Sequence, residues 1–194
     1  MKYSLAFRIW HWLSALVVLG LVATVLLRWT LLAKTQTASL LVEKLSSMQI
    51  VISDAQAVTL VKALRVQLWE WHIILGFAFV ALVVFRLLLH FTNSKKRVAF
   101  SELDLHHKLV CISYCGVYTV FAMMATTGLI LYFSSNLGIS KEITHNIKEL
   151  HELVYFYIAF FIPLHIAGVF FADATNEKGL VSSMIHGREK EEKN

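Results

Sequence analysis

Four histidines lie in runs of apolar residues, where an ionisable side chain costs about 3 kcal/mol. His11 sits in "RIWHWLSAL" and His72 in "WEWHIILGF", while His151 and His165 share one run and stand fourteen residues apart. Imidazole at such a position has two uses. It can hydrogen-bond between helices, or it can give a nitrogen lone pair to a metal. Fourteen residues is close to four helical turns and roughly 21 Å of rise. Any helix carrying His151 and His165 therefore holds them on one face at two separate levels.

The elements that must position these rings are membrane helices. Of 194 residues, 57% are hydrophobic and 16% charged, against about 45–50% and about 25% in a soluble domain. A hydrocarbon core of about 30 Å takes about 20 helical residues. Four segments are long and apolar enough: residues 6–31, 68–91, 105–133 and 149–172. The expected fold class is all-α, a transmembrane four-helix bundle, with residues 1–194 forming a single membrane domain. Pro163 should bend the fourth span without ending it. Residues 1–30 read as a retained first span. The apolar region is long, ends at Arg28-Trp29 and has no small-residue cleavage site.

Residues 32–67 form the first outer loop. Leu41, Leu45, Met48 and Ile52 recur at helical spacing, and Ser53 to Gln56 reads as a capping box. Two short amphipathic helices are expected there, as a cap over the bundle or a docking surface. Basic residues set orientation. Lys2, Arg8, the cluster Lys95-Lys96-Arg97 and the basic tail within 173–194 share one side of the spans. Both termini are therefore expected in the cytoplasm. The net charge of +5 fits such basic ends and gives no support for nucleic-acid binding. Cys111 and Cys115, four apart in the third span, read as small buried packing residues.

With odd-numbered spans running outward and even-numbered spans inward, the histidines sort by depth. His11 matches His165 near the inner level, and His72 matches His151 near the outer level. The simplest chemistry for two such pairs is two b-type haems, each iron taking two imidazoles from facing helices. Separate interhelical hydrogen bonds remain an alternative. Zinc is another, although it prefers three or four ligands at one place. Gly20, Gly76 and Gly168 are candidates for close approach. Arg8, Arg86 and Lys108 lie near the inner level as candidate propionate partners, and Arg28, Arg65 and Lys148 near the outer. His106, His107 and His90 sit at span mouths. Glu70 and Glu152, beside His72 and His151, could relay protons or pair with a nearby base. No nucleophile elbow, phosphate loop or zinc motif is present in the sequence.

The pieces "RIWHWLSAL", "WEWHIILGF" followed by Arg86, "LHELVYF" and "PLHIAGVFFAD", in this order, resemble the prokaryotic cytochrome b561 family. That family overlaps with the cytochrome b subunits of membrane-bound nickel–iron hydrogenases. The resemblance spans roughly residues 5–185. It implies a bacterial cytoplasmic-membrane protein surrounded by lipid, with two bis-histidine haem b groups on His11, His72, His151 and His165. It also implies respiratory electron transfer between a periplasmic donor and the quinone pool. Some similar proteins oxidise superoxide with quinone as acceptor, and others anchor a periplasmic dehydrogenase. The long first outer loop departs from the compact free-standing type and favours a dedicated periplasmic redox partner subunit.

Overall fold

The computed structural model describes residues 3–92, 100–102, 105–175 and 178–187. Lys2, the Lys95-Lys96-Arg97 cluster and the tail cations Arg188, Lys190 and Lys193 lie outside these residues, as do the side chains of His106 and His107. Six helices follow in order: α1 (Leu5–Trp29), α2 (Lys34–Ser47), α3 (Asp54–Thr92), α4 (Leu105–Phe133), α5 (Lys141–Ala174) and α6 (Leu180–His186). A 3₁₀ turn, Phe100–Glu102, precedes α4, and no strand occurs among the described residues. Four of the helices, α1, α3, α4 and α5, are long and apolar enough to cross a membrane.

The chain divides into two compact units, Ala15–Phe79 and Met1–Ser14 with Val80–Asn194; the boundary falls within α1 and α3. In the first unit, α2 lies against the start of α3. Ala38 on α2 and Ala57 and Val61 on α3 are buried, with Leu41, Val42, Ile52 and Val58 packed around them. The alanines let the two backbones approach, and Val61 fills the seam. Gln49, at a φ of 63°, turns the chain after α2.

Only one of the two expected loop helices is separate. The capping box is present: the Ser53 amide donates to Gln56 Oε1 at 2.8 Å, and the Gln56 amide donates to Ser53 Oγ at 3.3 Å. It opens α3 itself. No glycine or proline lies between Asp54 and Leu75, so nothing stops the helix, which runs 39 residues into the second span. At 1.5 Å per residue that is about 58 Å, nearly twice a hydrocarbon core. The helix α5 likewise begins eight residues before the expected start of the fourth span. Ser140 caps it, its Oγ accepting from the Ile143 amide at 3.3 Å. Its polar first turns carry the pairs His145–Glu149 (3.1 Å) and Lys148–Glu152 (2.9 Å) at i,i+4 spacing. Apolarity marks what sits in lipid; helix formation continues into water where pairs and caps support it. The helix passes through Pro163 unbroken.

In the second unit, α4 packs along α5, and α6 returns onto α5. The short α6 was not expected within the tail. Gly179 and Gly187 bracket it at φ 84° and 74°, conformations that glycine adopts without a Cβ penalty. Asp173 Oδ1 accepts from the Val181 amide at 3.1 Å and so satisfies its first turn. Cys111 and Cys115 are free thiols and both are exposed, which corrects their reading as buried packing residues.

Candidate functional site

His11 lies in the second turn of α1 and His165 in the second half of α5. Their ring centroids are 6.2 Å apart, with planes at 59°. Phe161, one turn before His165, stacks on that ring at 5.4 Å and 20°. Trp12 meets His11 edge-on at 5.4 Å. Both imidazoles are thus held by aromatic neighbours. Two imidazoles bound to one metal from opposite sides, each through a bond of about 2 Å, stand with centroids roughly 6 Å apart. The pair fits that arrangement. Among the described residues no three of His, Cys, Asp and Glu gather closely enough to hold a metal ion. A pair of rings therefore suits an ion whose remaining positions are filled by a macrocycle.

Two further observations concern the fit. Ser14, one turn after His11, is 5% exposed, and its hydroxyl has no hydrogen-bond partner among the described residues. A buried hydroxyl of that kind is one a polar substituent of a bound group would satisfy. Gly168, one turn after His165, and Gly76, one turn after His72, would each place a Cβ with nothing within 4 Å. At Gly20 a Cβ would meet Leu75 Cδ1 at 3.0 Å, so this glycine serves helix packing.

His72 and His151 are each described in their own unit. On α3, His72 stacks on Trp69 at 4.8 Å and 6°, and its Nδ1 is 2.7 Å from Thr24 Oγ1 on α1. On α5, His151 Nδ1 is 2.8 Å from Thr127 Oγ1 on α4, and its ring passes over Gly128. In the sequence, Thr127-Gly128 reads as a close-packing point of the third span, and Thr24 carries no signal. A lone threonine in an apolar run is a weak signal, because its hydroxyl can bond its own helix.

The candidate cations divide. Arg8 donates from Nε to the Met184 carbonyl at 3.2 Å and from Nη2 to the Ile185 carbonyl at 2.5 Å. Its charge thus sits at the C-terminus of α6, where it complements the helix dipole. Trp12 Nε1 also donates to Met184, at 3.3 Å. Arg86 lies over the rings of Phe7 (5.1 Å), Trp10 (5.3 Å) and Tyr118 (5.1 Å). Its Nε and Nη2 donate to the Tyr118 hydroxyl at 3.0 and 2.8 Å. Trp10 is itself fixed by donating to the Leu82 carbonyl at 2.9 Å. Arg28 lies over Trp69 at 5.0 Å, and Lys148 pairs with Glu152.

The family model described as prokaryotic cytochrome b561 matches residues 2–187. No curated protein and no solved structure matches the chain.

Proposed function

The chain belongs to the prokaryotic cytochrome b561 family, and on that premise we propose that it carries electrons between a periplasmic donor and the membrane quinone pool with two bis-histidine haems. Membership makes it a multi-pass inner-membrane b-type cytochrome that binds haem b and works in electron transfer. Haem b, when bound, supplies a one-electron ferric–ferrous couple.

The chain's own groups then have these roles. His11 and His165 would hold one haem. His72 and His151, matched in depth by their places in the sequence, would hold the other. With two imidazoles from the chain, each iron would disfavour oxygen binding. Arg86, whose Nη1 has no acceptor among the described residues, is a cation for a propionate. Arg8 lies at the same end but acts mainly through α6. Both termini lie in the cytoplasm.

The 6.2 Å approach of His11 and His165, from helices more than a hundred residues apart in the chain, is the observation that carries this reading. A redox-titrated visible spectrum of the purified protein tests it. Two b-type components are expected; a protein without b-type absorbance would overturn the reading. A haem-free bundle, the remaining alternative for four apolar spans, has no support from the family.

A second version casts the chain as the cytochrome b anchor of a periplasmic dehydrogenase or hydrogenase. The packed pairing of α2 with the first turns of α3 favours it, because it provides an ordered platform beside a span. Co-purification with a periplasmic redox subunit supports this version. Rapid haem reduction by superoxide in the isolated protein supports a free-standing superoxide:quinone oxidoreductase instead.

A further inference from the structure

The hydroxyls that meet His72 and His151 are both buried, at 8% exposure for Thr24 and 7% for Thr127. Each has one hydrogen, and each lies close to a carbonyl of its own helix that can accept it, Thr127 also having the Met124 carbonyl at 3.3 Å. Thr24 Oγ1 donates to the Leu21 carbonyl at 2.6 Å. Thr127 Oγ1 donates to the Met123 carbonyl, also at 2.6 Å. With its hydrogen on the helix carbonyl, each oxygen turns a lone pair toward the imidazole, 2.7 and 2.8 Å away, and the hydrogen of that contact comes from the ring. A neutral imidazole with its hydrogen on Nδ1 carries its lone pair on Nε2.

We propose that Thr24 and Thr127 are positioning residues that lock His72 and His151 in the Nδ1–H tautomer, so that each presents Nε2 to a metal. The proposal rests on the reading of these two rings as haem ligands and names what prepares them. Self-bonding of a threonine to its own helix is common, but it accounts only for the hydroxyl hydrogen. The approach of a ring nitrogen within hydrogen-bond distance, on two different helix pairs, is what sets these residues apart. The helix carbonyl polarises the hydroxyl, and the hydroxyl in turn draws on the ring N–H, so the two bonds strengthen each other. A ligand that donates through its far nitrogen is the more basic at the near one. That favours ferric iron and lowers the midpoint potential. His11 and His165 have no hydrogen bond to either ring among the described residues; their neighbours are Trp12 and Phe161. They provide an internal reference within the same molecule.

The test uses the purified haem-loaded chain in detergent, with Thr24→Val and Thr127→Val singly and together, and the serine variants beside them. Valine keeps the shape and removes the hydroxyl. Redox titration and haem retention are read for both components, with His165→Ala assigning the one that belongs to His72 and His151. In the valine variants that component should move to higher potential and lose haem about 10- to 100-fold more readily. The other component should stay in place, and serine should restore the parent behaviour. Unchanged potential and retention in the double valine variant would overturn the proposal, as would an equal movement of both components. The single variants carry the same test where the double variant does not accumulate. A parent protein without haem b defeats the functional reading and this proposal together. A two-haem parent with indifferent valine variants defeats this proposal alone.

Discussion

The guanidinium of Arg8 occupies the space that a side chain at Gly187 would need. The first turn of α1 and the end of α6 are therefore fitted to each other at one point. Arg8→Ala removes the donors to the Met184 and Ile185 carbonyls, and Gly187→Ala forces both a clash and an unfavourable φ. Each change should cost about 1–2 kcal/mol locally. Amide exchange over residues 180–186 should accelerate by roughly tenfold, while the spans stay protected. Unaltered exchange in both variants would show that α6 is held by other contacts.

Arg86 and Tyr118 make a second coupled pair. Tyr118→Phe leaves the rings in place but removes the oxygen that accepts from Nε and Nη2. Arg86→Lys keeps the charge and loses the planar fork that lies over three aromatic rings. Both should lower stability in detergent by about 1–2 kcal/mol. Thermal unfolding followed by circular dichroism measures this, and a lysine variant as stable as the parent would mean that charge alone matters there.

His11 and His165 are predicted to be interchangeable in their loss. Alanine at either should remove the same spectral component and spare the other. The double variant should look like each single one, because a pair acting on one group is not additive. Two different components lost by the two substitutions would separate these rings.

The capping box offers a test confined to the start of α3. Ser53→Ala and Gln56→Ala should each weaken the first turn by about 1 kcal/mol, seen as faster exchange at the amides of Ser53 and Gln56. Ala57→Leu should do more. Ala57 has no exposed surface and faces Ala38, so the larger chain overpacks the seam at a cost of about 1–3 kcal/mol. Limited proteolysis in the turn around Gln49 should then increase.

Much of the scaffold is legible in the sequence because lipid imposes a simple rule on composition. Residues 105–133 are both the expected third span and the observed α4, and α1 departs from its expected bounds by one or two residues. The long helices α3 and α5 outrun their apolar stretches for a different reason: the end of apolarity is a membrane boundary and the end of a helix is a hydrogen-bonding event. Spacing singles out four histidines and suggests that His11 and His165 share a level; these two the structure brings together. It could not reveal Thr24 or Thr127, since which hydroxyl meets which ring depends on the rotation of two neighbouring helices. Arg8 and Arg86 are recognisable in the sequence as cations near the inner level of the spans. Their partners, backbone carbonyls of α6 in one case and a phenol in the other, come from parts of the chain that no local pattern connects to them.

The uninterrupted course of α3 has a mechanical meaning. The surface formed with α2 and the turn bearing His72 belong to one stiff rod, with no joint between Asp54 and Leu75. A protein that gripped the α2 end could not be accommodated by a swinging arm. Its push or tilt would be transmitted along the rod to Trp69 and His72, and against the contact that Thr24 makes there. Docking at the membrane surface would then be felt as torque at the ring proposed to hold haem, and a glycine pair placed midway along that rod would disconnect the two.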